Sequence, residues 1–287
     1  MHTRTLLLPL MLALACGAAK ADTIPFLGEA QQFAVLGGQS VSYSNINTLQ
    51  GNLGVAPGSA LSGTGQLNFV GGGSAHQADA AATRAYADAS AAYDRLAGLS
   101  AGTDLSGQDL GSVGTIGAGV YRFAAAAALT GALTIDFAND PTGIVVFQVG
   151  SALTTASNAV VNVLNGTSSN GIYFQVGSSA TLGANTVFAG NILALQSVSF
   201  VSAASIACGR AFGLGGAVTL TGATVSSDCT AYAPTALSND FGSQGFSGNG
   251  IAASAPGEVP EPATLALLGA GLCAVAWRRP ARRAARQ

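Results

Sequence analysis

Gly143-Ile-Val-Val-Phe-Gln-Val-Gly-Ser-Ala-Leu-Thr-Thr-Ala-Ser-Asn158 is followed one loop later by Gly171-Ile-Tyr-Phe-Gln-Val-Gly-Ser-Ser-Ala-Thr-Leu-Gly-Ala-Asn185. Both stretches run from an apolar strand through a Gly-Ser turn to a shorter Thr-bearing run that ends in Asn. Two more diverged copies extend from Gly190 to Ser205 and from Gly209 to Thr224. Aligned on their last four residues, the copies read Thr155-Ala-Ser-Asn158, Leu182-Gly-Ala-Asn185, Ser202-Ala-Ala-Ser205 and Thr221-Gly-Ala-Thr224, with Thr130-Gly-Ala-Leu133 as a fifth. Successive tetrads start 25, 27, 20 and 19 residues apart, close to one turn of a three-sided solenoid. In such a fold each repeat buries its apolar face only against its neighbours. The fold class expected is mainly β, a three-sided parallel β-helix with coils about 4.8 Å apart. A β-sandwich would also produce short strands punctuated by Gly and Asn, but it does not explain why coil-length phrases recur.

One segment departs from this habit. Residues 74–97 contain no Gly or Pro and place Ala78, Ala81, Ala82, Ala85, Ala89, Ala92 and Leu96 on one stripe of a helix. Ser74 with Gln77 forms a capping box at its start, and Gly98 offers a left-handed terminator at its end. A long helix over 74–97 is therefore expected. Its alanine stripe would lie close against the solenoid, with Asp79, Arg84, Asp88 and Arg95 towards water.

The two ends read as sorting segments. Arg4, an apolar run from Leu6 to Ala15 and the small-x-small pattern Ala19-Lys20-Ala21 form a signal peptide over 1–21, which starts the mature chain at Asp22. Cys16 lacks the leucine three residues earlier that a lipoprotein cleavage box requires, because Ala13 stands there. At the other end, Val259-Pro260-Glu261-Pro262 precedes a mostly apolar run from Ala263 to Trp277 and then Arg278, Arg279, Arg282, Arg283 and Arg286. This order over 258–287 resembles the PEP-CTERM sorting signal of Gram-negative bacteria. The resemblance implies a transient inner-membrane anchor, sorting machinery at that membrane as a partner, and a final place at the cell surface or outside the cell. The apolar run is shorter than the ~20 residues that span a bilayer, so a weak anchor is the alternative. Residues 231–257, rich in Gly, Ser, Asn and Pro, read as a linker behind a domain of 22–230.

Between residues 22 and 257 the basic residues are Arg84, Arg95, Arg122 and Arg210, and the net charge is −7. With no basic patch to release counterions, nucleic acid is excluded as a partner. Cys208 and Cys229 are the cysteines left within those bounds, and an even pair in an oxidising compartment reads as a disulfide between neighbouring coils. Two buried free thiols are the alternative.

Enzyme chemistry finds no constellation. His76 is the one histidine outside the leader, and it falls at the start of the expected helix. No Cys/His cluster has metal spacing. The nearest carboxylate pair, Asp136 and Asp140, runs into the turn Asn139-Asp140-Pro141. No glycine pattern opens a helix after a strand, so no nucleotide site is expected, and no cofactor. What remains is the tetrad, with Thr, Ser or Asn at its ends and Ala or Gly between. Two roles stay open for it: a repeating binding face, or a corner ladder that satisfies turn backbone.

Phe33-Ala-Val-Leu-Gly-Gly38, Gly51-Asn-Leu-Gly-Val-Ala-Pro-Gly58, the helix from His76 to Leu96, Gly119-Val-Tyr-Arg-Phe123, Leu129-Thr-Gly-Ala-Leu-Thr134 and Phe147-Gln-Val-Gly-Ser151 together resemble the large microbial ice-binding protein family. The resemblance covers about residues 31 to 226. It implies a discontinuous right-handed β-helix with one helix alongside, no enzymatic activity, and a flat face that binds ice, with antifreeze and recrystallisation-inhibiting action. Several family members carry a Thr-Ala/Gly-x-Thr/Asn motif on that face. It stands complete here at Thr155 to Asn158 and at Thr221 to Thr224, whereas Leu182, Ser202 and Leu133 depart from it. The expected ice-binding residues are Thr130, Thr155, Asn158, Asn185, Ser202, Ser205, Thr221 and Thr224. A surface adhesin or matrix protein that binds polysaccharide through the same solenoid is the competing expectation.

Overall fold

Apolar and polar residues alternate along the short strands, and the alternation decides which side of each strand is buried. In the strand Ala132–Asp136, Leu133 and Ile135 are buried while Ala132 and Thr134 face outward, and Val160–Leu164 repeats this with Val161 and Val163. Neighbouring strands pair in parallel throughout. The chain therefore coils, and the buried side chains of successive coils stack on one another. Tyr121, Phe147, Phe174 and Phe188 form such a stack, with successive ring centroids 5.6, 4.5 and 4.7 Å apart. The computed structural model describes residues 27–138, 140, 142–166 and 170–227. The expected leader, Cys229, the linker and the C-terminal sorting segment lie outside the described residues.

The coil has three faces. One is a separate seven-stranded sheet in the order Ala127–Leu129, Leu153–Thr155, Ala180–Leu182, Val198–Phe200, Ala217–Thr221, Ser40–Ser44, Ala60–Gly63. The other two belong to one fifteen-stranded sheet. They are joined because Val187–Ala194 and Ser205–Gly213 each bend round a corner, with a register shift between Phe188 and Ala189. At that bend Gly190 and Gly209 sit in register at φ 120° and 140°, and a Cβ on Gly209 would come within 2.0 Å of the Gly190 carbonyl oxygen. Only glycine fits there.

Chain order and coil order differ. The N-terminal coils, Phe33–Gln50 and Asn52–Val70, end one side of the stack together with the strand Ala75–Gln77. The helix Ala80–Ala97 then carries the chain back along one face, and winding restarts at the far side with Thr103–Asp104 and Thr115–Ile116. The last coil closes onto the first through the pairs Val35↔Ala211, Ser42↔Thr219 and Thr48↔Thr224. The helix buries Ala82, Ala85, Ala89, Ala92, Tyr93 and Leu96 in a cluster that includes Leu36, Val146, Tyr173, Leu193 and Phe212 of the face beneath. That face therefore buries apolar side chains on both sides.

Two expectations about this helix need correction. It begins at Ala80, not at residue 74, because Ala78 takes φ 49° and Asp79 caps the helix by accepting the Ala82 N–H at 2.8 Å. Residues 75–77 pair instead with Leu53–Val55 as a strand, a pairing that outweighs the Ser74–Gln77 capping pattern. Gly98 ends the helix at φ −81°, in the right-handed rather than the left-handed region. Among the described residues no helix is long and apolar enough to cross a membrane. Cys208 is buried and disulfide-bonded.

Candidate functional site

The seven-stranded sheet has one outer surface, and period-two alternation determines what it shows. Its inward residues, among them Val41, Leu153, Leu182, Val198, Phe200, Val218 and Leu220, are buried. The residues between them point out and stack in register, one per coil: Ala128, Thr154, Thr181, Ser199, Thr219, Ser42 and Ser62. Parallel columns flank this ladder, with Ser40 level with Ala217 and Ala60 on one side and Ser44 level with Thr221 on the other. Ser42 Oγ donates to Thr219 Oγ1 at 3.2 Å and Ser44 Oγ to Thr221 Oγ1 at 3.5 Å. No outward side chain on these strands is larger than threonine, and none is charged.

The charges lie elsewhere. Among the described residues, Glu29, Asp79, Arg84, Asp88, Asp94 and Arg95 belong to the helix and the 3-10 turn beside it. Asp104, Asp109, Asp136 and Asp140 lie in the coils that follow the helix at the far side, and Arg122 is on the strand Gly119–Phe123 of the helix-covered sheet. Arg210 is buried, donating through Nε and Nη2 to the Gln31 carbonyl at 2.9 and 2.6 Å and through Nη1 to Asn191 Oδ1 at 3.1 Å.

The tetrads do not form one face, and their expected residues separate. Thr155 points into the coil at 3 % exposure, where its Oγ1 lies 2.7 Å from Thr186 Oγ1 and accepts the Gly183 N–H at 2.8 Å. Asn158 and Asn185 are exposed at the next corner at φ 60° and 57°, and Asn185 Nδ2 donates to Asn158 Oδ1 at 3.3 Å. That is the turn-satisfying role. Ser202 is exposed in the same corner one coil on. Thr221 alone of the eight lies on the sheet's outer surface within a strand. Thr130 is exposed just beyond Ala127–Leu129, its N–H held by Asp109 Oδ1 at 2.9 Å. Ser205 and Thr224 are in register with each other on the third face. A tetrad turns a corner, so its first and last residues cannot share a plane.

Alignment on the tetrads missed Thr154 and Thr181, each one residue before a tetrad, because a slip of one residue sends a side chain to the opposite side of a strand; Ser199 and Thr219 precede their tetrads by three and two residues, and Ser42 and Ser62 lie in coils outside the tetrad repeat. A signal for most of them exists in the sequence. Val41-Ser-Tyr43, Ala180-Thr-Leu182, Val198-Ser-Phe200 and Val218-Thr-Leu220 each hold one hydroxyl residue between two less polar ones.

One polar cluster elsewhere imitates a hydrolytic relay. His76 Nε2 lies 3.0 Å from Ser74 Oγ and His76 Nδ1 lies 2.7 Å from Asp79 Oδ2. The Ala82 N–H and then the His76 hydrogen bond hold the Asp79 carboxyl below its ordinary range. Beside Ser74, however, sits Asn52 Oδ1, an acceptor oriented by the Ser74 N–H at 3.0 Å, where a developing oxyanion needs a donor. The cluster ties the strand Ala75–Gln77 to the helix cap, and the His76 ring packs edge-on to Phe33 with centroids 5.4 Å apart.

Residues 35–226 match a family described as Ice-binding-like, and residues 258–283 match the PEP-CTERM protein-sorting motif. An ice-binding protein of Nostoc sp. (strain HG1) is 45% identical over 211 residues, which cover 74% of this chain and 77% of that protein. The crystal structure of an ice-binding protein from an Antarctic biological consortium superposes with a TM-score of 0.65 at 37% identity, covering 70% of this chain and 90% of the other. The ice-binding protein of the Antarctic ascomycete Antarctomyces psychrotrophicus superposes with a TM-score of 0.61 at 32% identity, covering 72% and 99%.

Proposed function

This chain belongs to the ice-binding-like family, and we propose that it binds ice through the outer surface of its seven-stranded sheet. The observation that carries this is the in-register ladder Thr154, Thr181, Ser199, Thr219, Ser42 and Ser62. Outward residues on one strand repeat about every 7 Å, and coils repeat about every 4.8 Å. The surface is thus a two-dimensional grid of methyl and hydroxyl groups, able to hold water in an ordered array that merges with a crystal. Threonine is stiff at χ1, so little entropy is lost on contact. Charged side chains would impose their own hydration, and the sheet has none.

Function follows as adsorption to growing ice, with thermal hysteresis and inhibition of recrystallisation, and no chemical step. Export to the cell surface fits the PEP-CTERM motif. Cleavage after Ala21, a transient anchor through 263–277 and a Cys208–Cys229 bond belong to the same proposal. The polysaccharide-adhesin alternative draws no support from the relatives.

Thr219→Tyr places a ring at the centre of the ladder and lifts the sheet off a flat lattice. Most of the thermal hysteresis and recrystallisation inhibition of residues 22–257 should disappear while the melting temperature stays within a degree or so of the parent, as for a surface change. Parent protein that leaves ice unshaped at micromolar concentration, or a variant as active as the parent, would refute the assignment.

A further inference from the structure

The column of outward residues beneath the helix changes character where the helix stops. Leu36, Phe212 and Leu193 lie in register under the helix, and the same column continues as Gln175, Gln148, Arg122 and Asp104. Gln148 Nε2 donates to the carbonyls of Leu96 and Leu99 at 2.8 Å each, so it satisfies the last turn of the helix and is fixed there. Gln175 is buried beside it and hydrogen-bonded to the Tyr93 hydroxyl. Ala97, Ala124 and Gly150 are small, and they leave a cleft of about 170 Å³ around Arg122, Gln148 and Gln175.

Arg122 is exposed, and among the described residues no hydrogen bond or ion pair engages its guanidinium. Its cross-strand neighbour Asp104 turns its carboxylate to the Ser106 N–H at 2.9 Å instead. The cleft thus offers a planar fork of donors, with acceptor oxygens of Gln148 and Asp104 to either side along the column. A guanidinium fork matches a carboxylate through two parallel hydrogen bonds. Asp104 one strand away and the net charge of −7 between residues 22 and 257 disfavour a doubly charged anion more than a singly charged one. The space is smaller than the roughly 300 Å³ at which pockets for drug-sized ligands begin, so one ring fills it. The acceptors beside Arg122 suit hydroxyl groups on that ring.

We propose that this cleft is a binding site for a sugar acid, in which Arg122 takes the carboxylate while Gln148 and Asp104 accept hydrogen bonds from ring hydroxyls. The ligand is either a free sugar acid or one uronate unit of an acidic polymer, since both present the same groups. The site shares no residue with the hydroxyl ladder of the seven-stranded sheet and stands independently of the ice-binding reading.

The test titrates the isotope-labelled full chain with D-glucuronate, D-glucose, acetate and a glucuronate-containing oligosaccharide, followed by NMR. Glucuronate should move the side-chain amide signals of Gln148 and Gln175 saturably at millimolar concentration, and less tightly as salt is added. Arg122→Leu should weaken that binding about tenfold or more and Arg122→Lys by less, both with parental melting temperatures. An oligosaccharide that binds more tightly than glucuronate supports the site with a polymer as its source, and equal affinity supports it with the free acid as its source. Glucose or acetate that binds as tightly as glucuronate overturns the inference. So does an Arg122→Leu protein that binds glucuronate like the parent, or a parent whose Gln148 and Gln175 signals stay in place.

Discussion

The coils wound after the helix and the two N-terminal coils build the same solenoid by different means. From Gly119 onward each strand pairs with the one a coil later, and the interior is an aromatic column from Tyr121 to Phe188. The N-terminal coils join that stack through partners about 176 residues distant, and polar groups secure the seam. Asn47 is fully buried there. Its Oδ1 accepts the Ala223 N–H at 2.8 Å, and its Nδ2 donates to the carbonyls of Ser44, Asn45 and Gln66 at 3.0, 3.2 and 3.3 Å. Gln39 Nε2 donates to the Gly215 carbonyl at 2.8 Å, and Arg210 holds Gln31. Apolar stacking is permissive about register, whereas a buried amide with four partners is not. The hydroxyl ladder crosses this seam at Ser42–Thr219, so the proposed ice surface reaches its full length only when the N-terminal coils dock on the stack.

Substitutions should separate the two regions, and the largest effect belongs to the continuous stack. Phe174→Ala removes the centre of the aromatic column and should cost about 3–5 kcal/mol, read as a lower denaturation midpoint with an unchanged slope. Asn47→Ala strands the Ala223 N–H and should cost about 1–3 kcal/mol. Its effect should be local, with faster hydrogen exchange at residues 33–70 and reduced thermal hysteresis near the new midpoint. Equal acceleration at residues 144–188 would mean that seam and stack open together as one cooperative unit. Smallest for function is Thr155→Val. It deletes a buried hydroxyl at about 1–3 kcal/mol but should leave ice activity at 0 °C unchanged, in contrast to Thr219→Tyr, because Thr155, although next to Thr154 of the ladder, points into the coil. Loss of ice activity in a folded Thr155→Val protein would return the site to the tetrads.

The coil repeat was legible because parallel stacking demands the same apolar positions in every turn, and Gly150 and Gly177 mark the same bend in successive coils. The binding surface was legible in composition but not in phase. Two residues, Ser202 and Ala203, turn the corner after Val201, whereas Gly222 alone turns it after Thr221. Counting back from the corner therefore lands on outward residues in one coil and inward residues in another. Nothing local in Ser40–Ser44 marks it as the neighbour of Ala217–Thr221, and the true start of the helix depended on a strand pairing made twenty-two residues away.

By itself, the sequence determined a charge-poor, three-sided solenoid with one alanine-faced helix, because periodicity and composition are properties of each segment taken alone. Tertiary structure decided which hydroxyls share a plane and how the first coil meets the last. Those outcomes depend on corner lengths and on pairings between distant strands, where one residue of slip turns a surface into a core.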